Sequence, residues 1–237
     1  MGKTHLVPDK CKILSGSVLK LFAVITMLID HIGEHLVDRS IVLFSVAGHD
    51  FLLYPIMRGI GRMAFPVFCF LLIEGFIHTR NRIRYGISLL IFALISEIPW
   101  NLVHSGKFFY GAQNVFFTLL LGYLGLCAIN AYKKYPLLVL GSLIALAIIG
   151  IVAKTDYNAK GIVFILLLYA LRENEIIRPF TAFVLHNQWW AIGSFIPISL
   201  YNGKRGFIKG PVLKYAFYAF YPVHLLVIYL FKYKVFF

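Results

Sequence analysis

Long apolar runs broken by short polar loops organise this chain. A helix that crosses hydrocarbon needs about 20 mostly apolar residues. Runs of that kind fall near 15–36, 62–78, 84–104, 114–131, 136–153, 160–171, 178–200 and 212–231, the sixth being short. They predict an all-α, polytopic membrane bundle of roughly eight transmembrane helices, within a range of about seven to ten. The stretch 41–57 is apolar but carries Gly48, His49, Asp50 and Pro55, and reads as an outer re-entrant or interfacial segment. The runs are too long and continuous for the alternating strands of a membrane β-barrel.

Composition points the same way. The chain has 237 residues, of which 60% are hydrophobic and only 14% charged, with a mean hydropathy of +0.80. Soluble domains are about half apolar and a quarter charged, so lipid must solvate much of this surface. No linker or soluble appendage is visible, and residues 1–237 read as one bundle. The net charge is +13. A basic balance can signal nucleic acid, but in a membrane protein it reads as basic loops beside anionic lipid; no nucleic-acid partner is expected. Cys11, Cys69 and Cys127 lack the spacing of a metal or disulfide motif, and neither is expected. The polar N-terminus does not resemble a cleaved signal peptide.

The short loops set an orientation. Lys3, Lys10 and Lys12 precede the first run, and Arg80, Arg82 and Arg84 separate the second from the third. Lys133 and Lys134, then Arg172 and Arg178, then Lys232 and Lys234 follow on the same side. That side, with the N-terminus, is expected to face the cytoplasm, in a bacterial inner membrane. One loop disagrees: Lys204, Arg205, Lys209 and Lys214 fall on the outside. Either that loop binds something anionic, or the count of spans is off by one in the second half.

Ionisable residues inside such runs are expensive and often functional. Lys20 and His31 lie eleven residues apart on the first run, so about 16 Å apart on one helix face. Asp30 points about 100° away from His31, whereas Glu34 and His35 share its face. Arg58 and Arg62 stand at the outer entrance of the second run, and Pro66 breaks the backbone ladder just beyond. Glu97 lies at similar depth on the third run and is expected to pair with Arg62. Gln113, Asn114 and Asp156 begin or precede later runs at the outer face. Counting independently, His31, Arg62, Glu97, Gln113 and Asp156 all reach one side, which is the pattern of a site. His224, eight residues before Lys232, is placed in the inner half. His186 to Trp190 interrupt the seventh run as an interfacial belt or an aromatic wall. The plain alternatives are a packing histidine at 31 and a structural ion pair at 97.

Six stretches carry a family resemblance. They are Leu19-Lys20 through Ile29-Asp30-His31, Gly61-Arg62-Met63-Ala64-Phe65-Pro66, Glu97-Ile98-Pro99, Gln113-Asn114-Val115-Phe116, Tyr201-Asn202-Gly203-Lys204-Arg205-Gly206, and Tyr218 through Tyr221-Pro222-Val223-His224. Together, over about residues 17–232, the chain resembles the TraX family, named for a conjugation-system membrane protein that acetylates the pilin N-terminus. The gap from Lys20 to His31 also resembles that of transmembrane acyltransferases which O-acetylate sugars. The resemblance implies acetyl-CoA as donor and an amine or hydroxyl acceptor on a peptide, glycan or small molecule. It leaves homo-oligomerisation open.

On that reading His31 is a general base, oriented by Asp30 or Glu34, with Arg62 at the oxyanion and Glu97 fixing Arg62. Lys20, Arg80, Arg82, Arg84, Tyr221 and His224 are the donor-binding candidates. Gln113, Asn114, Asp156 and Arg58 are the acceptor-binding ones. A transporter or channel would also carry intramembrane charge and prolines, and a non-catalytic scaffold would tolerate loss of His31. The sequence lacks the paired broken helices that a transporter's two halves would show.

Overall fold

The computed structural model describes residues 6–46, 48–185 and 188–234, with the side chain of Gln188 left aside. Lys3, His186 and Asn187 lie outside the described residues. The protein is a helical bundle in which, among the described residues, four helical segments are long and apolar enough to cross a membrane. These are α1 (Gly16–Leu36), the joined pair α2 (Leu53–Gly61) and α3 (Ala64–His78), α4 (Arg82–Ser105) and α10 (Gly210–Lys232). Three shorter apolar helices, α5 (Val115–Ala131), α6 (Pro136–Val152) and α7 (Asn158–Ala170), complete the bundle. Its core runs through Leu19, Ala23, Val67, Leu126, Phe164 and Leu225, while α6 fully buries only Gly150, lays Leu143 and Leu146 against Gly125 of α5, and leaves most of its other side chains exposed.

Local chemistry explains the joints. Pro66 sits in the first turn of α3, where its missing N–H is tolerated. It cannot bond back to the Arg62 carbonyl, so helix α2 ends at Gly61 and α3 starts anew at Ala64. Asn81 and Asn114 open α4 and α5 as caps, their side chains accepting from the Arg84 and Phe116 amides.

Two expected segments are corrected. The stretch 41–57, expected as an outer re-entrant or interfacial segment, does not re-enter the bundle as a run. It is an antiparallel hairpin of β1 (Val42–Val46) and β2 (His49–Leu52), followed by the start of α2. Gly48 takes a φ of 79° in its turn, and Phe44 stacks on Phe51 across the strands.

The run 178–200 is not a single spanning helix. It forms a 3-10 helix over Arg178–Val184 and two short helices, α8 (Gln188–Gly193) and α9 (Phe195–Ser199). Both ends of this segment touch the same residue. The Arg178 guanidinium lies 5.6 Å from the Phe70 ring centroid, and the Tyr201 ring meets Phe70 edge-on at 5.3 Å. Its middle reaches Gly59, against which Trp190 packs. Gly59 is eleven residues before Phe70, about 16 Å along the span. The segment therefore enters the bundle and returns. Pro179 and Pro197 break its helical bonding.

The next loop then returns to the start of α1. Gly16 N–H donates to Lys204 O at 2.8 Å, Ser17 N–H to Arg205 O at 3.0 Å, and Ile208 N–H to the Ser17 hydroxyl at 2.8 Å. Lys204, Arg205, Lys209 and Lys214 thus join Lys10, Lys12, Arg80, Arg82 and Arg84 at one end of the bundle, here called the basic end. The second of the two readings of that loop, a span count off by one, is the correct one. Helix α10 consequently rises parallel to α1, and Lys232 and Lys234 lie at the far end, opposite to their expected place.

Candidate functional site

Helices α1 and α10 both leave the basic end, and their lengths determine what meets. His31 stands fifteen residues into α1 and His224 fourteen into α10, each about 21–23 Å up. They meet: His31 Nδ1 lies 2.6 Å from His224 Nε2. The expectation that His224 occupies the inner half is overturned, because the count from Lys232 assumed the opposite direction for α10. The ring planes differ by only 12°, with centroids 4.9 Å apart. A nitrogen–nitrogen approach this short is an in-plane hydrogen bond and not face stacking.

His31 lines a cavity of about 470 Å³ in the half of the bundle away from the basic end. Asp30, Glu34, Arg58, Arg62, Asp156 and Tyr221 share its wall. Arg58 clamps both acidic residues of α1, its Nη1 at 2.7 Å from Asp30 Oδ2 and its Nε at 2.8 Å from Glu34 Oε2. These carboxylates therefore hold Arg58 and do not orient His31. The partner that His31 does have is His224. Gly61 permits this seam, since a Cβ there would overlap the Asp30 carboxylate.

Arg62 faces the cavity from the break between α2 and α3. Its buried Nε has no acceptor among the described residues. Asp156 and Tyr157 approach it from the loop between α6 and α7, with Tyr157 stacked on Phe65 at 3.7 Å. Asp156 is open to the cavity yet surrounded by protein. Burial pushes its carboxyl up to about 6, against the pull of the Arg62 guanidinium.

A third wall is aromatic. Trp100 Nε1 donates to Ala112 O at 2.8 Å and so holds the loop after α4 over the cavity. His104 packs on Trp100 and Tyr110, with ring centroids 3.9 and 5.0 Å away. Its Nδ1 bonds the Trp100 carbonyl at 2.9 Å. His104 and His35, whose rings meet edge-on at 4.7 Å, were not singled out as site residues. The signal was present: His104 lies twenty residues beyond Arg84, at the depth of the site.

Three expected residues do not line this cavity. Glu97 accepts from Asn114 Nδ2 at 2.6 Å and does not pair with Arg62. Asn114 is fully buried, also donating to Ala93 O at 2.8 Å, and serves as the α5 cap. Gln113 pairs its backbone with Lys154 O and Thr155. All three sit near the cavity's level, but the Glu97 and Asn114 side chains and the Gln113 backbone instead clamp α4, α5 and the 153–157 loop together.

The donor-binding candidates divide. Tyr221 and His224 belong to the site half. Lys20 is partly buried near Arg205 and Lys214, and Arg80, Arg82 and Arg84 are exposed, all at the basic end. Arg82 lies over the Phe76 ring at 4.6 Å.

The fold and site define a polytopic helical membrane protein with a polar, histidine-bearing cavity inside its bundle. Residues 15–232 match the TraX protein family, and the chain belongs to that family. It is 30% identical over 243 residues to the "Probable fimbrial assembly protein FimC, serogroup H1" of Dichelobacter nodosus, covering 89% of this chain and 93% of that one. No solved structure matches the chain.

Proposed function

We propose that the protein is a membrane-embedded acetyltransferase. It moves an acetyl group from acetyl-CoA, supplied at the basic end, to an amine or hydroxyl acceptor in the cavity. The observation that carries the reading is the placing of His31, on the cavity wall with Arg62 and three carboxylates, one helix length from a cluster of basic residues. The basic end faces the cytoplasm by the rule that lysine and arginine concentrate there. Lys20, Arg80, Arg82 and Arg84 would meet the CoA phosphates. The donor's arm would then cover the roughly 16 Å to His31.

In the transfer, His31 accepts the proton of the attacking nitrogen or oxygen as that atom bonds to the thioester carbonyl carbon. Arg62 supplies its unpaired Nε–H to the oxyanion. The C–S bond then breaks, and the proton passes to the departing CoA thiolate. Asp156 and the aromatic wall would hold the acceptor. The relative's name connects that protein with fimbrial assembly, and a fimbrial subunit's terminal amine fits the acceptor class.

Purified protein in lipid vesicles, given radiolabelled acetyl-CoA and a panel of peptide, sugar and small amines and alcohols, tests the reading. Thiol release coupled to label on one acceptor is expected. Failure to bind acetyl-CoA would overturn it.

A further inference from the structure

The hydrogen bonds around His224 fix a proton arrangement on His31. His224 Nδ1 lies 2.8 Å from the Phe220 carbonyl oxygen, one turn back on α10. A carbonyl only accepts, so His224 carries its proton on Nδ1. In the neutral ring its Nε2 is then a bare acceptor. The group facing that acceptor at 2.6 Å is His31 Nδ1, which must be the donor. Neutral His31 therefore has its proton on Nδ1 and an open lone pair on Nε2.

We propose that His224 is a positioning residue that holds His31 in this tautomer, so that Nε2 takes the acceptor's proton. The inference rests on the reading of His31 as general base. As His31 Nε2 gains a proton, its Nδ1–H stays bonded to His224 Nε2, and the pair shares the new charge. A carboxylate orients the histidine of hydrolase triads in a related way. Here both carboxylates nearest in sequence, Asp30 and Glu34, are engaged by Arg58. His224 is buried, with 5% of its surface exposed, and Phe220 stacks on its ring at 5.0 Å. Its outer side forms the floor of an apolar groove between α1 and α10, lined by Leu28, Ile32, Val223 and Val227. Water has no polar partner in that groove besides the ring itself, which keeps the arrangement of the pair unambiguous.

The test uses the full chain in nanodiscs with ¹⁵N-labelled histidine, the His31 signals being assigned by their loss in His31→Gln. In the unaltered protein His31 should show a protonated Nδ1 and an unprotonated Nε2. In His224→Leu it should move toward the Nε2-protonated form, and kcat should fall on the order of 10²-fold. The KM for acetyl-CoA should stay within about twofold. His224→Gln keeps an acceptor at the same place and should restore kcat to within about tenfold of the unaltered protein. It also decides the matter if the leucine variant does not fold. A His31 protonated on Nε2 in the unaltered protein overturns the proposal, as does a His224→Gln variant no better than the leucine one. Full activity in His31→Gln would instead overturn the reading of the base, whatever the tautomer.

Discussion

Lys232, in the last turn of α10, donates its ammonium to the backbone carbonyl of Val103 near the end of α4, at 2.8 Å. This contact pins the end of α10 to the far end of the bundle, while Ser17 and Arg205 pin the preceding loop to the start of α1. The two ends of α10 thus lie on opposite sides. In a cysteine-free background, Arg82→Cys and Arg205→Cys should label from the same side of the membrane, and Lys234→Cys from the other. Labelling of positions 205 and 234 from one side would contradict the re-entrant path of 178–200.

Depth was legible in the sequence wherever the direction of a run was certain. The spacing from Lys20 brings His31, the entrance of the second run brings Arg62, and the loop before the sixth run brings Asp156 to one side, and all three line the cavity. Direction around a helix was less legible. Glu97 has the right depth, but it faces the buried Asn114 cap, whereas Trp100, three residues on, faces the cavity. The run 178–200 is apolar enough to span, and only its two prolines and its contacts with Phe70 reveal that it turns back. Because that one run turns back, α10 runs opposite to the direction the apolar pattern implies, and His224 meets His31.

Arg58 bridges Asp30 and Glu34 with side chains that keep 19%, 16% and 28% exposure. Arg58→Met should leave both carboxylates unpaired in a low-dielectric site. Breaking a buried pair costs about 3–5 kcal/mol, and the residual exposure places this one at about 3 kcal/mol. Unfolding of the detergent-solubilised variant should show the loss. The triple change Arg58→Met, Asp30→Asn, Glu34→Gln should recover part of it. An unchanged unfolding midpoint in Arg58→Met would show the bridge to be solvated.

Gly61 lies against the Asp30 carboxylate. Gly61→Val should push α2 away from α1 and move Arg58 and Arg62 with it. Overpacking costs about 1–3 kcal/mol, with transfer activity falling further than stability. Midpoints and turnover measured side by side check this. Near-normal turnover would mean the seam can open without disturbing the site.

Asp156 holds its proton up to about pH 6, above the ordinary carboxylate value of 3.8. The folded form thus binds this proton more tightly than the unfolded one. Its favourable contribution is complete below about pH 4 and is lost as pH rises through 6. Asp156→Asn should flatten the dependence of the unfolding midpoint on pH across that window. For a cationic acceptor the KM should rise as pH falls through 6, as the carboxylate is neutralised. A KM that is flat there would remove Asp156 from the acceptor site.

The central claim is that His31 moves the acceptor's proton. The direct measurement compares single-turnover acetyl transfer by the unaltered protein and His31→Gln, alongside their acetyl-CoA Kd values. Glutamine keeps a hydrogen bond but takes no proton near neutral pH. The rate should fall about 10²- to 10⁴-fold, with Kd within about threefold. A His31→Gln protein that transfers acetyl at the unaltered rate would contradict the account.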